Sequence, residues 1–235
     1  MTEGDSKPAL IFLHGALGSR AQLQPLKQVL SHAFDVHPLD FEGHGIHTLT
    51  GHPFRIERFA DNLLSFIDKL DAAPANVFGY SMGGFVALYT AMIQPRMINR
   101  VFTLATKFDW NPQSAARESA MLDPEALEQK FPDYAASLEQ RHAANWKQVL
   151  KHTAEMMTHL GSTNPLNHAA LESLPHRVRV AVGDRDKMVS IEETTAVFRK
   201  LKNAQLQVFP NTQHPIERVD TAMLAEAVKE FMTAR

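Results

Sequence analysis

Ser81 stands in Gly79-Tyr80-Ser81-Met82-Gly83, a G-x-S-x-G pattern. A serine hydroxyl is a poor nucleophile near neutral pH. It needs a base, and the base needs a group to orient it. The pattern suits a sharp strand-to-helix turn that strains the serine backbone and pushes its hydroxyl into the open. Glycine at 79 and 83 fits such a turn, because a Cβ there would collide with the neighbouring strand or helix. The backbone N–H of Met82 then lies at a helix N-terminus, unpaired and partly positive, suited to an oxyanion. Further along, the chain supplies a base and an acid. His214 lies in Phe209-Pro210-Asn211-Thr212-Gln213-His214-Pro215, and Asp186 in Gly183-Asp184-Arg185-Asp186-Lys187-Met188-Val189. Asp184 competes with Asp186 for the acid role.

These residues need elements to bring them together. Asn76 to Tyr80 reads as a buried strand and Met82 to Gln94 as a helix, with Ser81 between them. Apolar runs predict further strands at Ala9 to Leu13, Phe34 to Pro38, Arg100 to Thr106, Val178 to Val182 and Gln205 to Pro210. Helices are predicted at about Gln22 to Ser31, Ile191 to Lys202 and Asp220 to Met232. Phe59, Leu63, Phe66, Ile67 and Leu70 share one face of another, over Ile56 to Leu70. The alternation implies an α/β fold, a doubly wound, mostly parallel sheet of about six strands with helices on both faces. His214 and Asp186 then follow strands, where such sheets place their sites. From 109 to 174 the chain is helical, polar and Met-rich, with prolines at 112, 124, 132 and 165 marking helix starts. Sixty residues are too many for a bare loop. The expected organisation is a core of 1–108 and 175–235 carrying an inserted helical lid at 109–174.

At 235 residues the chain is long enough for one full α/β domain. A net charge of −2 provides no long-range field for nucleic acid or an anionic membrane. The absence of cysteine excludes thiol nucleophiles and disulfides. The polar, acidic start, Met1 to Pro8, has no signal-peptide pattern, and a cytoplasmic protein is expected. Twelve histidines invite a metal reading. No H-E-x-x-H occurs, and His44, His47 and His52 lie in a glycine-containing loop, so no metal is expected. His44 is read as packing within its loop, and His14 as bonding to nearby backbone.

Five landmarks occur in order: Leu13-His14-Gly15, Gly43-His44-Gly45, Gly79-Tyr80-Ser81-Met82-Gly83, the G-x-x-D ending at Asp186, and the late His214. Together they resemble the α/β-hydrolase superfamily over nearly the whole chain. The resemblance implies Ser81 as nucleophile, His214 as general base and then acid, and Asp186 as the orienting carboxylate. It implies an oxyanion hole from the N–H groups of Ala16 and Met82. Its spacing favours Asp186 over Asp184, which is then a turn former. Asp109, after an earlier strand, is a remoter candidate for the acid. Only eight residues precede Ala9, so the family's opening antiparallel hairpin is expected to be missing, which would leave an edge strand for a partner subunit. Glu42 stands where the family often has Arg or Pro, and is expected to be solvated.

The activity implied is cleavage of an ester or related acyl bond of a small apolar-to-amphipathic molecule, with no cofactor. The expected partner is that substrate alone, on a monomer or homodimer. Trp146, Met157 and Lys107 are the expected pocket residues, and Arg141-His142 are further candidates for a substrate carboxylate. Leu13-His14-Gly15-Ala16-Leu17-Gly18-Ser19 and Gly79-Tyr80-Ser81-Met82-Gly83-Gly84 are also similar to a menaquinone-pathway synthase and allow C–C bond hydrolysis. Phe85 stands where that synthase carries Arg. A non-catalytic small-molecule receptor on the same fold is the alternative from another class.

Overall fold

A computed structural model describes residues 7–45, 47 and 49–234. The N-terminal stretch 1–6, part of the segment read for targeting signals, lies outside the described residues. In chain order the elements are β1 (Ala9–Leu13), α1 (Gln24–Leu30), β2 (Asp35–Leu39), α2 (Ile56–Leu70), β3 (Ala75–Tyr80), α3 (Met82–Ile93) and β4 (Ile98–Leu104). Next come α4 (Pro112–Ser119), α5 (Pro124–Lys130), α6 (Pro132–His142), α7 (Trp146–Ser162) and α8 (His168–Ser173). The chain closes with β5 (Arg177–Gly183), α9 (Ile191–Lys200), β6 (Ala204–Phe209) and α10 (Thr221–Thr233).

The six strands form one sheet in the order β2-β1-β3-β4-β5-β6, with every neighbouring pair parallel. Parallel strands are covered on both faces and read as continuous apolar runs. In β3 all six residues are buried. Side-chain alternation sends Leu10 and Phe12 of β1 to one core, with α1 and α10. Ile11 and Leu13 go to the other, with α2, α3, α9 and the helices inserted between β4 and β5. Those insertion helices, α4 to α8, bury Leu138, Val149, Leu150, Met156 and Leu160 in that second core.

The strand order fixes where a site can form. The chain leaves β1 toward β2 and returns to β3 on β1's other side. The loops after β1 and β3 therefore diverge from adjacent strands and open a crevice at the carboxyl edge of the sheet. Among the described residues, β2 is the edge strand on that side and β6 on the other. The sequence places α1 slightly early. Residues Arg20–Leu23 form a 3₁₀ turn that feeds the α-helix starting at Gln24.

Candidate active site

β3 ends at Tyr80 and α3 begins at Met82, leaving Ser81 alone to make the turn. Its backbone adopts φ +51° and ψ −117°. Such a conformation costs a non-glycine residue about 1–3 kcal/mol and persists only where the surroundings enforce it. The enforcement is visible. Ser81 N–H donates to Leu104 O at 2.8 Å, and the Thr106 hydroxyl donates to Ser81 O at 3.0 Å. α3 starts hard against the sheet: a Cβ on Gly83 would sit 2.4 Å from Leu13 O, and one on Gly79 would sit 2.5 Å from the Gly83 carbonyl.

Asp186 follows β5 and His214 follows β6, and the two side chains meet. His214 Nδ1–H donates to Asp186 Oδ2 at 2.8 Å, with the carboxylate fully buried. The other carboxylate oxygen accepts Met188 N–H at 2.8 Å and Val189 N–H at 2.9 Å. Asp186 is thus held by its own loop while it orients the imidazole. Tyr80 steadies the histidine loop from below, since its hydroxyl donates to His214 O at 3.0 Å. Burial, with Glu217 and Asp186 nearby, pushes the Tyr80 phenol upward and keeps it a donor. Asp184 does not approach the histidine through a hydrogen bond. Its carboxylate accepts Thr212 N–H at 3.1 Å, the structural part that its place beside Gly183 suggests. Asp109 accepts from the Asn111 amide at 3.2 Å, on the surface. Among the described residues the Ser81 hydroxyl makes no hydrogen bond, so the acid–imidazole contact is formed while the imidazole–hydroxyl contact is open.

The loop after β1 comes to the same place. A Cβ on Gly15 would lie 2.8 Å from the Tyr80 ring and 3.1 Å from Ser81 Cβ, so only glycine lets the loop this close. Next to it, Ala16 and Met82 line a cavity of about 40 Å³ directly over Ser81. Beneath the loop, buried His14 donates through Nδ1 to Gly15 O at 2.8 Å and accepts Phe41 N–H at Nε2 at 3.2 Å. Burial lowers the His14 pKa to about 3, so the ring is neutral and its tautomer is set by these two bonds. His44 donates to Glu42 O at 3.1 Å and stacks on Phe54, in keeping with a packing role.

A model of the alpha/beta hydrolase fold matches residues 8–164 of this sequence. The chain belongs to the α/β-hydrolase family. It is 25% identical over 249 residues to the pimeloyl-[acyl-carrier protein] methyl ester esterase of Vibrio campbellii, covering 95% of this chain and 94% of that protein. It is 28% identical over 138 residues to the (E)-2-((N-methylformamido)methylene)succinate hydrolase of Acinetobacter baylyi, covering 58% of this chain but only 51% of that protein. Two further relatives, from Haemophilus influenzae and Eremothecium cymbalariae, are covered over only 33% and 26% of their length. The solved structure of 2-hydroxy-6-oxo-6-phenylhexa-2,4-dienoate hydrolase from Rhodococcus sp. superposes with a TM-score of 0.80 at 21% identity, over 97% of this chain and 91% of that one.

Within this α/β-hydrolase chain the cavity lining corrects part of the sequence reading. Met157 and Lys107 line the space over Ser81, but Trp146 does not. Trp146 opens α7 and is buried in the core. Met156 and Met157 lie ten and eleven residues on, about 15 Å farther along the helix axis. One helical face therefore serves the core at its start and the cavity near its end. Ile56, Phe85, Trp110, Met156 and Leu160 also line the cavity. Of these, Trp110 carried a usable signal, since it follows a strand on the same carboxyl edge as Ser81. Glu42 is not solvated but pairs with Arg58 at 2.6 Å. Arg141 and His142 bond to backbone carbonyl and amide groups rather than facing the cavity.

Among the described residues, Lys107 is the one charged residue lining the Ser81 cavity, with its side chain about 12% exposed. Glu118 and Glu193 lie 3.9 and 3.8 Å from its ammonium, beyond hydrogen-bonding distance. Glu193 is held on its other oxygen by Phe108 N–H at 2.6 Å and Asp109 N–H at 2.7 Å, which fixes the loop after β4. Lys107 and Trp110 also border a wide groove of about 1320 Å³ between α4, α8 and α9. The groove is the larger space, but Ser81 lines the smaller one. Among the described residues, no helix is long and apolar enough to cross a membrane.

Proposed function

We propose that this chain is a serine hydrolase that cleaves an ester or related acyl bond through an acyl-enzyme at Ser81. The observation that carries the reading is the buried Asp186–His214 hydrogen bond, formed on the same carboxyl edge of the sheet as a serine in a strained strand-to-helix turn. His214 removes the proton as Ser81 Oγ attacks the substrate carbonyl carbon. The carbonyl π electrons move onto oxygen, and the N–H groups of Ala16 and Met82 stabilise that oxyanion. Such a donor contributes about 3–4 kcal/mol to transition-state stabilisation. When the oxyanion collapses, the bond to the leaving oxygen breaks and His214 returns the proton to it. Water, deprotonated by the same imidazole, then displaces the acid from Ser81. No cofactor takes part in this sequence.

The substrate class follows from the cavity. Ile56, Phe85, Met156, Met157 and Leu160 favour a short apolar acyl group, and methionine adapts its shape readily. The Lys107 ammonium, with no hydrogen-bonded partner among the described residues, favours a polar acceptor at one edge of that group. The Vibrio relative is named for a methyl ester, which agrees with a small leaving alcohol. Phe85, buried at the cavity, weighs against the synthase reading, which places a cation at that position.

A fluorophosphonate probe tests the nucleophile. Wild type labels and Ser81→Ala does not. Failure of folded wild type to label would favour the non-catalytic receptor. Hydrolysis of p-nitrophenyl esters of rising chain length then tests the bond type. Activity highest on the shortest acyl groups supports the ester reading, and indifference to every ester would overturn it.

A further inference from the structure

The donor assigned to Ala16 sits in a chain of peptides that ends on the inserted helices. In a trans peptide the C=O and N–H point to opposite sides. Whatever grips Gly15 O therefore aims Ala16 N–H. Gly15 O is gripped by His14 Nδ1–H at 2.8 Å and by Gly18 N–H at 3.1 Å. Gly18 N–H belongs in turn to the Leu17–Gly18 peptide, whose carbonyl faces the other way. That carbonyl, Leu17 O, accepts Arg141 Nη1–H and His142 Nε2–H, both at 2.9 Å. Two donors fill its two lone pairs. The same His142 accepts Gly45 N–H at Nδ1 at 3.1 Å, which leaves its single proton on Nε2, toward Leu17. His142 is almost fully buried, and Arg141 also lies 3.9 Å from Glu217 in the segment after His214.

The turn needs such a grip. Leu17 is held at φ +58°, the left-handed region. A side chain with a Cβ is disfavoured there. Released from Arg141 and His142, Leu17 relaxes and Gly18 N–H leaves Gly15 O, so that His14 alone grips Gly15 O and the aim of Ala16 N–H loosens. We propose that Arg141 and His142 are positioning residues, a latch on α6 that sets the oxyanion hole when the inserted helices are seated. Seating of the insertion and competence of the oxyanion hole are then one equilibrium. This inference rests on the reading of Ser81 as nucleophile and of Ala16 as an oxyanion donor.

The test uses the full chain and a p-nitrophenyl ester. The double variant Arg141→Met/His142→Leu is expected to lose about 10- to 100-fold in kcat, part of the 10²–10³ lost with a whole donor. KM stays within about twofold. Affinity for a trifluoromethyl ketone, which forms an oxyanion on Ser81, falls by the same factor as kcat. Affinity for the product acid does not. His142→Gln keeps a donor near Leu17 O and restores kcat to within about threefold of wild type, with Arg141 intact. Wild-type kcat in the folded double variant would overturn the latch. So would a raised KM at constant kcat, or a His142→Gln as impaired as His142→Leu. If the double variant does not fold, the single Arg141→Met and His142→Leu variants are read the same way. Wild-type labelling by fluorophosphonate, absent in Ser81→Ala, tests the underlying reading separately. A labelled wild type with unimpaired latch variants sinks the latch alone.

Discussion

Asp186→Asn should disable the base while leaving the fold and the cavity in place. The structure dictates which way the new amide faces. One carboxylate oxygen accepts Met188 N–H and Val189 N–H, at 2.8 and 2.9 Å, and the other accepts His214 Nδ1–H at 2.8 Å. Turning the amide nitrogen toward the two backbone donors would set donor against donor and leave both backbone N–H groups without their acceptor. The amide oxygen therefore keeps the backbone and the NH₂ faces His214. Nδ1 must then accept, its proton moves to Nε2, and the nitrogen toward Ser81 can no longer take a proton. Loss of the working tautomer costs about 10⁴-fold in kcat in a Ser-His-Asp triad, or about 5 kcal/mol in barrier. KM for a p-nitrophenyl ester should change little, because no substrate contact is removed. Asp184→Asn is the control. Its carboxylate only accepts Thr212 N–H, and an amide oxygen does the same, so kcat should stay within about threefold. Stopped-flow or steady-state release of p-nitrophenolate reads both. An Asp186→Asn enzyme within tenfold of wild type, with Asp184→Asn or Asp109→Asn inactive, would refute the reasoning.

Gly83→Ala should destabilise by about 3 kcal/mol in urea, because its Cβ would meet Leu13 O, a backbone atom that cannot turn aside, at 2.4 Å. A wild-type midpoint would show that α3 can lift off the sheet. Trp146→Ala should cost about 3–5 kcal/mol of stability and leave acyl-chain preference unchanged, since the ring packs in the core. Met157→Ala should do the reverse, shifting preference to longer acyl groups with little loss of stability. Acid should unfold the protein early. A histidine held below its ordinary value takes up no proton in the native state while the unfolded chain does. Its contribution is full above about pH 6.5 and declines as pH falls toward about 3 for His14. Over the two units from pH 6.5 to 4.5, His14 alone removes about 2 kcal/mol, because the slope approaches its full value of about 1.36 kcal/mol per unit only below 6.5. Burial lowers His44 and His142 in the same direction. A flat unfolding free energy across that window, measured by urea titration, would contradict this.

The strands were legible because parallel strands bury both faces, and Val77-Phe78 or Val180-Ala181-Val182 have no other place in a chain this size. The placement of Ser81, Asp186 and His214 just after strands was legible because strand ends can be read. The cavity lining was less so. The periodicity of α7 gives its apolar face but not which turn of that face reaches Ser81, hence the misplaced Trp146. Glu42 looked solvated because its partner, Arg58, sits one helix later, and a pair between two elements leaves no local trace. Arg141 and His142 reach Leu17 across 124 and 125 residues, and Leu17 itself gives no sign of a left-handed backbone, as Gly or Asn would.

Two strained residues, Ser81 and Leu17, stand on the two loops that diverge from β3 and β1. Each is held by bonds to elements far from it in sequence: Ser81 by Leu104 and Thr106, Leu17 by Arg141 and His142. The strain at Ser81 is answered from within the sheet, by the strand next door, and is therefore as durable as the fold. The strain at Leu17 is answered by its own short turn and, at its carbonyl, by the insertion. Helices packed through side chains open at lower free energy than a central strand. The turn at Ser81 should thus stay formed under conditions that already loosen the turn at Leu17. Hydrogen exchange would show it: Ser81 N–H should exchange at the rate of global unfolding, and Gly18 N–H much faster. Equal rates would mean that the turn holds its shape without the insertion, and that α6 contributes packing alone.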